Sequence, residues 1–407
     1  MKISDFKEST VGGNKRFSST VIWEDCPREP LELFFDVGSQ YADGLTANPN
    51  AFLVAAVTPA VEEGEKRIAV DGEVCPRVKA GLLTILDVFK HWFGGPGTIE
   101  IEAAKWAGGS ARRGPERAGS FFTGGVDSLA TVWRNRKMFP RDHPESLKDA
   151  ILLYGINFDS DDSPAVFARA VTELTQVARD AEVELVPVTT NCRRVLITSG
   201  KFFAEKFHAA LLAAVGHILR GRLTTLSIAS SHDTKNLIPW GSHPLVDPNF
   251  SSFDLTIYHD SLEFSRLDKM KLVSDWPVGL DNIKVCTVNW PGVNCGKCEK
   301  CIRTMLELLA VGALDRSRSF EPNDVTAAAI GTIKLNSPNQ PHYYEELIEP
   351  LRAIGRDDLV SAIESILSAY WGESGLLGPI KRLDRLHFGN SLRKLRRSLR
   401  RNGDSVH

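Results

Sequence analysis

The run Ser120-Phe121-Phe122-Thr123-Gly124-Gly125-Val126-Asp127-Ser128 decides how this chain is read. Its first three residues have strand character, and a helical stretch continues past Ser128 through Trp133. Two adjacent glycines between them let the backbone turn sharply and approach a ligand closely. The N–H groups that open the following helix, with its positive end, favour an anion at that turn. Thr123 and Ser128 add hydroxyls, and Asp127 in the first helical turn can cap the helix or help hold Mg²⁺. The expectation is a phosphate cradle, though neither of the two commonest ones, since no G-x-x-x-x-G-K-[ST] and no G-x-G-x-x-G occurs here. A plain strand-to-helix turn would also use two glycines. The position at the end of the first strand of an α/β unit favours the binding reading.

Working outward, strand candidates follow at residues 150–154, 184–188 and 225–229, with helical stretches at 165–181 and 202–219 between them. Strands alternating with helices of that length predict a parallel sheet covered on both faces. Upstream, residues 1–115 read as a separate α+β unit. Its strand candidates are 20–23, 31–35, 52–57 and 98–101, and an amphipathic helix at 77–92 crowds Val78, Leu82, Leu83, Ile85, Leu86, Val88 and Phe89 onto one face. Gly94-Gly95-Pro96-Gly97 stops that helix, and a Gly- and Arg-rich stretch at 108–119 marks the boundary. The expected fold class is therefore α/β, a doubly wound parallel sheet at 116–310. The N-terminal α+β unit precedes it, helices follow at 311–372, and a basic tail occupies 373–407.

Four of the seven cysteines, Cys286, Cys295, Cys298 and Cys301, fall within sixteen residues. Two-residue spacers let neighbouring sulfurs converge on one ion, and the loop through Pro291 and Gly292 can fold back with the fourth. A closed tetrahedral Cys₄ zinc site is the direct reading, with a structural and not a Lewis-acid role. An iron–sulfur cluster is the competing one, although the spacing lacks the ferredoxin continuation into a further x₃-Cys-Pro.

Thr123-Gly124-Gly125-Val126-Asp127-Ser128 resembles the Ser-Gly-Gly-x-Asp-Ser motif of the PP-loop, or N-type, ATP pyrophosphatases, whose fold is of the adenine nucleotide α-hydrolase kind. The resemblance implies that Thr123, Gly124, Gly125, Val126, Asp127 and Ser128 bind the pyrophosphate of ATP, with Asp127 and Ser128 at the reacting end. The cysteines narrow it further. Cys295-Gly296-Lys297-Cys298-Glu299-Lys300-Cys301-Ile302-Arg303 is similar to the Cys-Gly-x-Cys-x-x-Cys-x-x-Arg run of the 7-cyano-7-deazaguanine synthases. This likeness covers roughly residues 117–310. Tyr154-Gly155-Ile156-Asn157 follows that group's Tyr-Gly-Gln only in part, and its acidic substrate segment has no counterpart here.

Other polar clusters follow predicted strands. Ser231 and His232 come just after the strand at 225–229, at the edge where an α/β site opens, and His243 and Asp247 lie in a Pro- and Gly-rich loop. Ser231, His232, His243 and Asp247 are candidates for positioning the acceptor or moving its proton; loop polars bonded to backbone are the alternative. His208 and His217 lie on an apolar helix and read as packed. Arg266, Lys269 and Lys271 either neutralise charge on the triphosphate or form a solvated face.

The 407 residues are 43% apolar and 25% charged, which excludes disorder and collagen-like repeats. No apolar run approaches the roughly 18 uncharged residues of a membrane span. The charged N-terminus does not read as a secretory signal, so a cytoplasmic location is expected. The net charge of −2 hides an asymmetry: residues 381–401 carry nine basic residues against Asp384, leaving the rest at −10. An acidic body does not read as a duplex-binding protein. Leu392, Leu395 and Leu399 among the basic residues allow an amphipathic helix on RNA or an anionic membrane, but a frayed, solvated terminus is the preferred reading.

The resemblance implies an ATP- and Mg²⁺-dependent ligase, with Zn²⁺ in the cysteine site. It would adenylate a carboxylate, release pyrophosphate and pass the acyl group to ammonia or an amine; in the resembling synthases the acid is a 7-deazaguanine carboxylate. The expected partners are that small carboxylate and the amine donor, and a homo-oligomer stays open. Three alternatives remain: tRNA thiolation with Cys192 as the sulfur carrier, transfer to a sugar or protein acceptor, and a non-catalytic nucleotide-binding protein.

Overall fold

A computed structural model describes residues 1–372 except 96, 107, 109–115, 157–162, 198, 287–293 and 322–324. The basic tail at 373–407, Asn157, Pro291 and Gly292 lie outside the described residues. Contacts divide the chain into two compact units, Met1–Val293 and Asn294–His407.

The first unit opens with β1 (Lys2–Val11) and β2 (Asn14–Ile22), an antiparallel hairpin turned by Gly12 and Gly13, followed by β3 (Leu31–Gly38). The helix α1 (Pro49–Glu62), β4 (Arg67–Glu73), α2 (Pro76–Phe93) and β5 (Glu100–Ala104) come next. Then strands and helices alternate: β6 (Ala118–Phe121), α3 (Val126–Met138), β7 (Leu147–Tyr154), α4 (Ser163–Asp180), β8 (Glu184–Thr190), β9 (Thr225–Ala229) and β10 (Thr256–Asp260).

All ten strands belong to one sheet, ordered β10-β9-β6-β7-β8-β3-β2-β1-β4-β5. It is mixed and mostly parallel: β1–β2, β2–β3 and β3–β8 are antiparallel, and the other pairings are parallel. The strands of residues 1–104 thus continue the sheet of the glycine loop through the β3–β8 seam. Side chains extend that seam beyond the ladder. Phe34 N donates to Asn191 Oδ1 at 3.0 Å, Asn191 Nδ2 donates to Glu32 O at 2.7 Å, and Thr190 Oγ1 donates to Phe34 O at 2.7 Å.

One expected strand is overturned. Residues 52–57 lie inside α1, whose residues 50–60 are all buried. A helix buried on every side loses the amphipathic stripe and reads as a continuous apolar run, the same signature as a buried strand. Its start is well marked, since the Asn48 side chain accepts from Asn50 N and Pro49 fills the first turn. The segment Gly200–Gly221 is also long and apolar enough to cross a membrane by length and composition, contrary to the expectation that none is, but 72% of its apolar window is buried within the fold. Its helix His208–Ile218 packs on α1 and fills the core.

The second unit is helical. Glu299–Ala310 buries Ile302, Leu306 and Leu308, and Asp357–Trp371 packs on the helices Ala327–Gly331 and Ile348–Ala353.

Candidate functional site

The strand order reverses at β6: β7 and β8 lie to one side of it, β9 and β10 to the other. Such a reversal splays the connections leaving the carboxyl ends of the strands and opens a crevice there. The glycine loop leaves β6 at that point. Gly124 has φ +75°, a left-handed conformation that a side chain resists, and a Cβ there would lie 3.0 Å from Leu174 Cδ2 and 3.3 Å from Lys284 Cβ. Gly125 caps α3 with extended backbone and no side-chain bond to the helix. Gly125 has no side chain with which to cap the opening N–H groups of α3.

The hydroxyls are organised around this turn. Thr123 N donates to Ser128 Oγ at 3.2 Å, and Ser128 Oγ donates to Gly125 O at 2.9 Å. Thr123 is exposed at the mouth, while Ser128 and Val126 are buried beneath it. Lys284 N donates to Gly124 O at 2.8 Å, tying the loop to the segment that leads to the cysteines. Lys284 carried no signal in the sequence, because it reaches the loop through its backbone.

Asp127 joins the loop to the helix Arg266–Ser274. Arg266 Nη1 donates to its Oδ2 at 2.9 Å and Lys269 Nζ to its Oδ1 at 3.3 Å. Lys269 is 1% exposed; its ammonium also donates to the Ser230 carbonyl and, at 3.1 Å, to Ser230 Oγ. Arg266 and Lys269 thus both meet the Asp127 carboxylate, next to the positive end of α3. Lys271, one turn along, is 60% exposed in its side chain and paired with Asp268 at 3.0 Å, which places it on the solvated face.

The remaining sequence candidates gather after β9. Ser231 is exposed. His232 is 5% exposed and packs edge-on against Trp240; burial pushes its imidazole down to about 4, with Asp127 opposing and Lys269 and His259 adding to the effect. His243 is buried against Trp92 with ring centroids 4.7 Å apart, accepts from Leu245 N at 3.0 Å, and is pushed by burial to about 4. Asp247 is fully buried: its carboxylate accepts from Ser242 Oγ at 2.7 Å, His243 N at 3.1 Å and His259 Nδ1 at 2.8 Å. His259, on β10, was not singled out from the sequence. The short alternation Ile257 in, Tyr258 out was its only local trace.

Residues upstream of the glycine loop build the back wall of this region. The α2 residue Gly81 lets Asn249 O approach so closely that a Cβ would sit 1.8 Å from it, and Arg77 Nη1 donates to Ser252 O at 3.1 Å. Together with Trp92, α2 holds the turn that carries His243 and Asp247. Of the packed histidines, His217 is fully buried with Nε2 2.8 Å from Phe250 O. Burial lowers the pKa of His208, and Asp247 opposes that shift.

Cys286, Cys295, Cys298 and Cys301 bring one sulfur each within 4.8 Å of one another, and Cys295 Sγ and Cys301 Sγ are 3.8 Å apart. No disulfide joins them. Zn–S bonds of about 2.3 Å in a tetrahedron set sulfurs about 3.8 Å apart, so four thiolates at this spacing are able to hold a metal ion such as zinc. Cys192, by contrast, is fully buried in the core, where burial pushes its thiol up to about 12. No family model, no curated protein and no solved structure matches the chain.

Proposed function

We propose that this chain is an AMP- and pyrophosphate-forming ATP-dependent ligase of PP-loop type, which adenylates a small carboxylate and passes the acyl group to ammonia or an amine. The observation that carries the reading is the placement of Thr123-Gly124-Gly125-Val126-Asp127-Ser128 where the strand order reverses, with the Asp127–Arg266–Lys269 cluster beside it. A doubly wound reading of β8-β7-β6-β9-β10 fits this order, and phosphate at a helix N-terminus beyond the carboxyl end of a strand is the usual arrangement in such sheets.

Each residue has a part in this proposal. The opening N–H groups of α3 and the hydroxyls of Thr123 and Ser128 hold the leaving pyrophosphate. Arg266 and Lys269 offset the negative charge that grows as the bond to the α-phosphorus breaks, and their fixed positions spare the cost of reorganising solvent. Asp127 orients both cations. Mg²⁺, when bound, would spread the charge of the phosphate oxygens, and Asp127 is the carboxylate that would hold it in this reading. Binding acid and nucleotide side by side supplies much of the acceleration. We read the cysteine cluster as a structural zinc site, because four sulfurs complete the tetrahedron and leave no open position.

The burial of Cys192 disfavours tRNA thiolation through that residue, since a sulfur carrier needs an accessible thiolate. The test is incubation with Mg²⁺-ATP and 7-carboxy-7-deazaguanine, assaying AMP and pyrophosphate with Asp127→Ala as control. AMP that requires the acid and vanishes in the variant supports the reading. Formation of ADP alone overturns it.

A further inference from the structure

We propose that His259, aligned by the buried Asp247, is the base that takes the proton from the attacking nitrogen in the second half-reaction. This rests on the acyl-transfer reading above.

Asp247 has no exposed surface and accepts three hydrogen bonds, from Ser242 Oγ, His243 N and His259 Nδ1. In this proposal Asp247 is the acceptor throughout, which puts the hydrogen between it and a singly protonated ring on Nδ1 of His259. That fixes the tautomer. Nε2 is then the acceptor, and the carboxylate behind the ring stabilises the charge that forms when Nε2 takes a proton. Among the hydrogen bonds of the described residues, the His259 ring is engaged only through Nδ1. Its side chain keeps 4% of its surface exposed.

His259 lies near the carboxyl end of β10, the end of the parallel strands at which the glycine loop leaves β6. It pairs with Ile228 across β10 and β9, and β9 is hydrogen-bonded to β6, so two strand spacings of about 4.8 Å separate it from the strand that carries the loop. Of the histidines gathered here, burial lowers the pKa of His208, His232 and His243. His259 has the Asp247 carboxylate on its ring, 2.8 Å from Nδ1.

The step balances as follows. The lone pair of NH₃ attacks the acyl carbon of the acyl-adenylate. The bond from that carbon to the AMP oxygen breaks, and its electron pair leaves with AMP. One N–H proton passes to His259 Nε2, giving amide, AMP and imidazolium. Asp247 acts through the ring and is a positioning residue.

The test uses the full chain with Mg²⁺-ATP and 7-carboxy-7-deazaguanine, and three readouts: ATP–pyrophosphate exchange, hydroxamate formed with hydroxylamine, and amide formed with ammonium. Hydroxylamine attacks without help from a base; ammonia gains from one. His259→Asn keeps a donor for Asp247 but lacks Nε2. Its amide formation should fall about 100-fold, the range for a lost general base, while exchange and hydroxamate formation persist. His259→Ala should regain amide formation when imidazole is added. Equal amide formation in wild type and His259→Asn overturns the proposal, as does parallel loss of all three activities without imidazole rescue. No exchange in the wild type overturns the acyl-transfer reading itself, and this proposal falls with it.

Discussion

Lys269 Nζ lies 3.3 Å from Asp127 Oδ1, an ammonium sealed from solvent meeting the one carboxylate in the first turn of the loop helix. Asp127 and the two Ser230 oxygens hold this buried charge in place, and the proposed reaction sets it against the leaving pyrophosphate. Lys269→Met should therefore cut AMP formation by ~100- to 1,000-fold, the scale of a lost charge-stabilising donor. Single-turnover AMP release measures this, with ATP affinity by calorimetry separating binding from chemistry.

The two loop glycines should respond differently to alanine. Gly124 is left-handed and a Cβ would press on Leu174, so Gly124→Ala should cost about 1–2 kcal/mol of stability. Gly125 has an ordinary φ, and its Cβ would meet only Thr123 Oγ1 at 3.3 Å and Lys284 O at 3.7 Å. Gly125→Ala should melt within a few degrees of wild type. Both should lose AMP formation, because either methyl group crowds the anion.

Removal of the metal should loosen the second unit. Elemental analysis is expected to give one zinc per chain, and Cys298→Ser should reduce it to a trace. Hydrogen exchange in Glu299–Ala310 should rise with chelator, since metal binding to thiolates is coupled to local folding. Iron with visible absorption in place of zinc would reassign the cluster.

Stability should fall on the acid side of neutrality. His217, His232 and His243 are each pushed by burial to about 4, below the ordinary 6.5. Between those values the unfolded chain binds protons that the folded chain refuses, so stability is full above about pH 6.5 and is lost as pH drops toward 4. Each ring contributes a slope of up to about 1.4 kcal/mol per pH unit. Urea unfolding at a series of pH values checks this, and His217→Gln should make the slope shallower.

Cys192 should resist thiol reagents in the folded protein. Its thiol is buried, lies 3.1 Å from Thr190 Oγ1, and is pushed up to about 12. Labelling should occur only at the rate of unfolding; rapid labelling would return the sulfur-carrier reading to contention.

The local features were legible in sequence and the distant ones were not. The glycine turn, β7, β8, β9, α2 and the four converging cysteines all follow from short-range pattern, because turn chemistry, amphipathic period and ligand spacing are properties of neighbouring residues. The helix α1 was misread as a strand because its apolar residues run without interruption, although Asn48 and Pro49 announced a helix start. Asp127 meeting Lys269, and Asp247 meeting His259, depend on which strands become neighbours, and no window of sequence encodes that. The same holds for β3 against β8, where Phe35 faces Thr190 across more than 150 residues.

That seam bears on how the nucleotide half behaves when isolated. A fragment cut at 116–310, where the motifs suggest a self-sufficient enzyme, would leave β8 with a bare row of amide and carbonyl groups. It would also strip Asn191 and Thr190 of their partners on the lost strand. Naked edges of this kind recruit strands from other molecules. Such a fragment should emerge as aggregate, and the strands of residues 1–104 can be understood as the selvedge that keeps the cloth from unravelling.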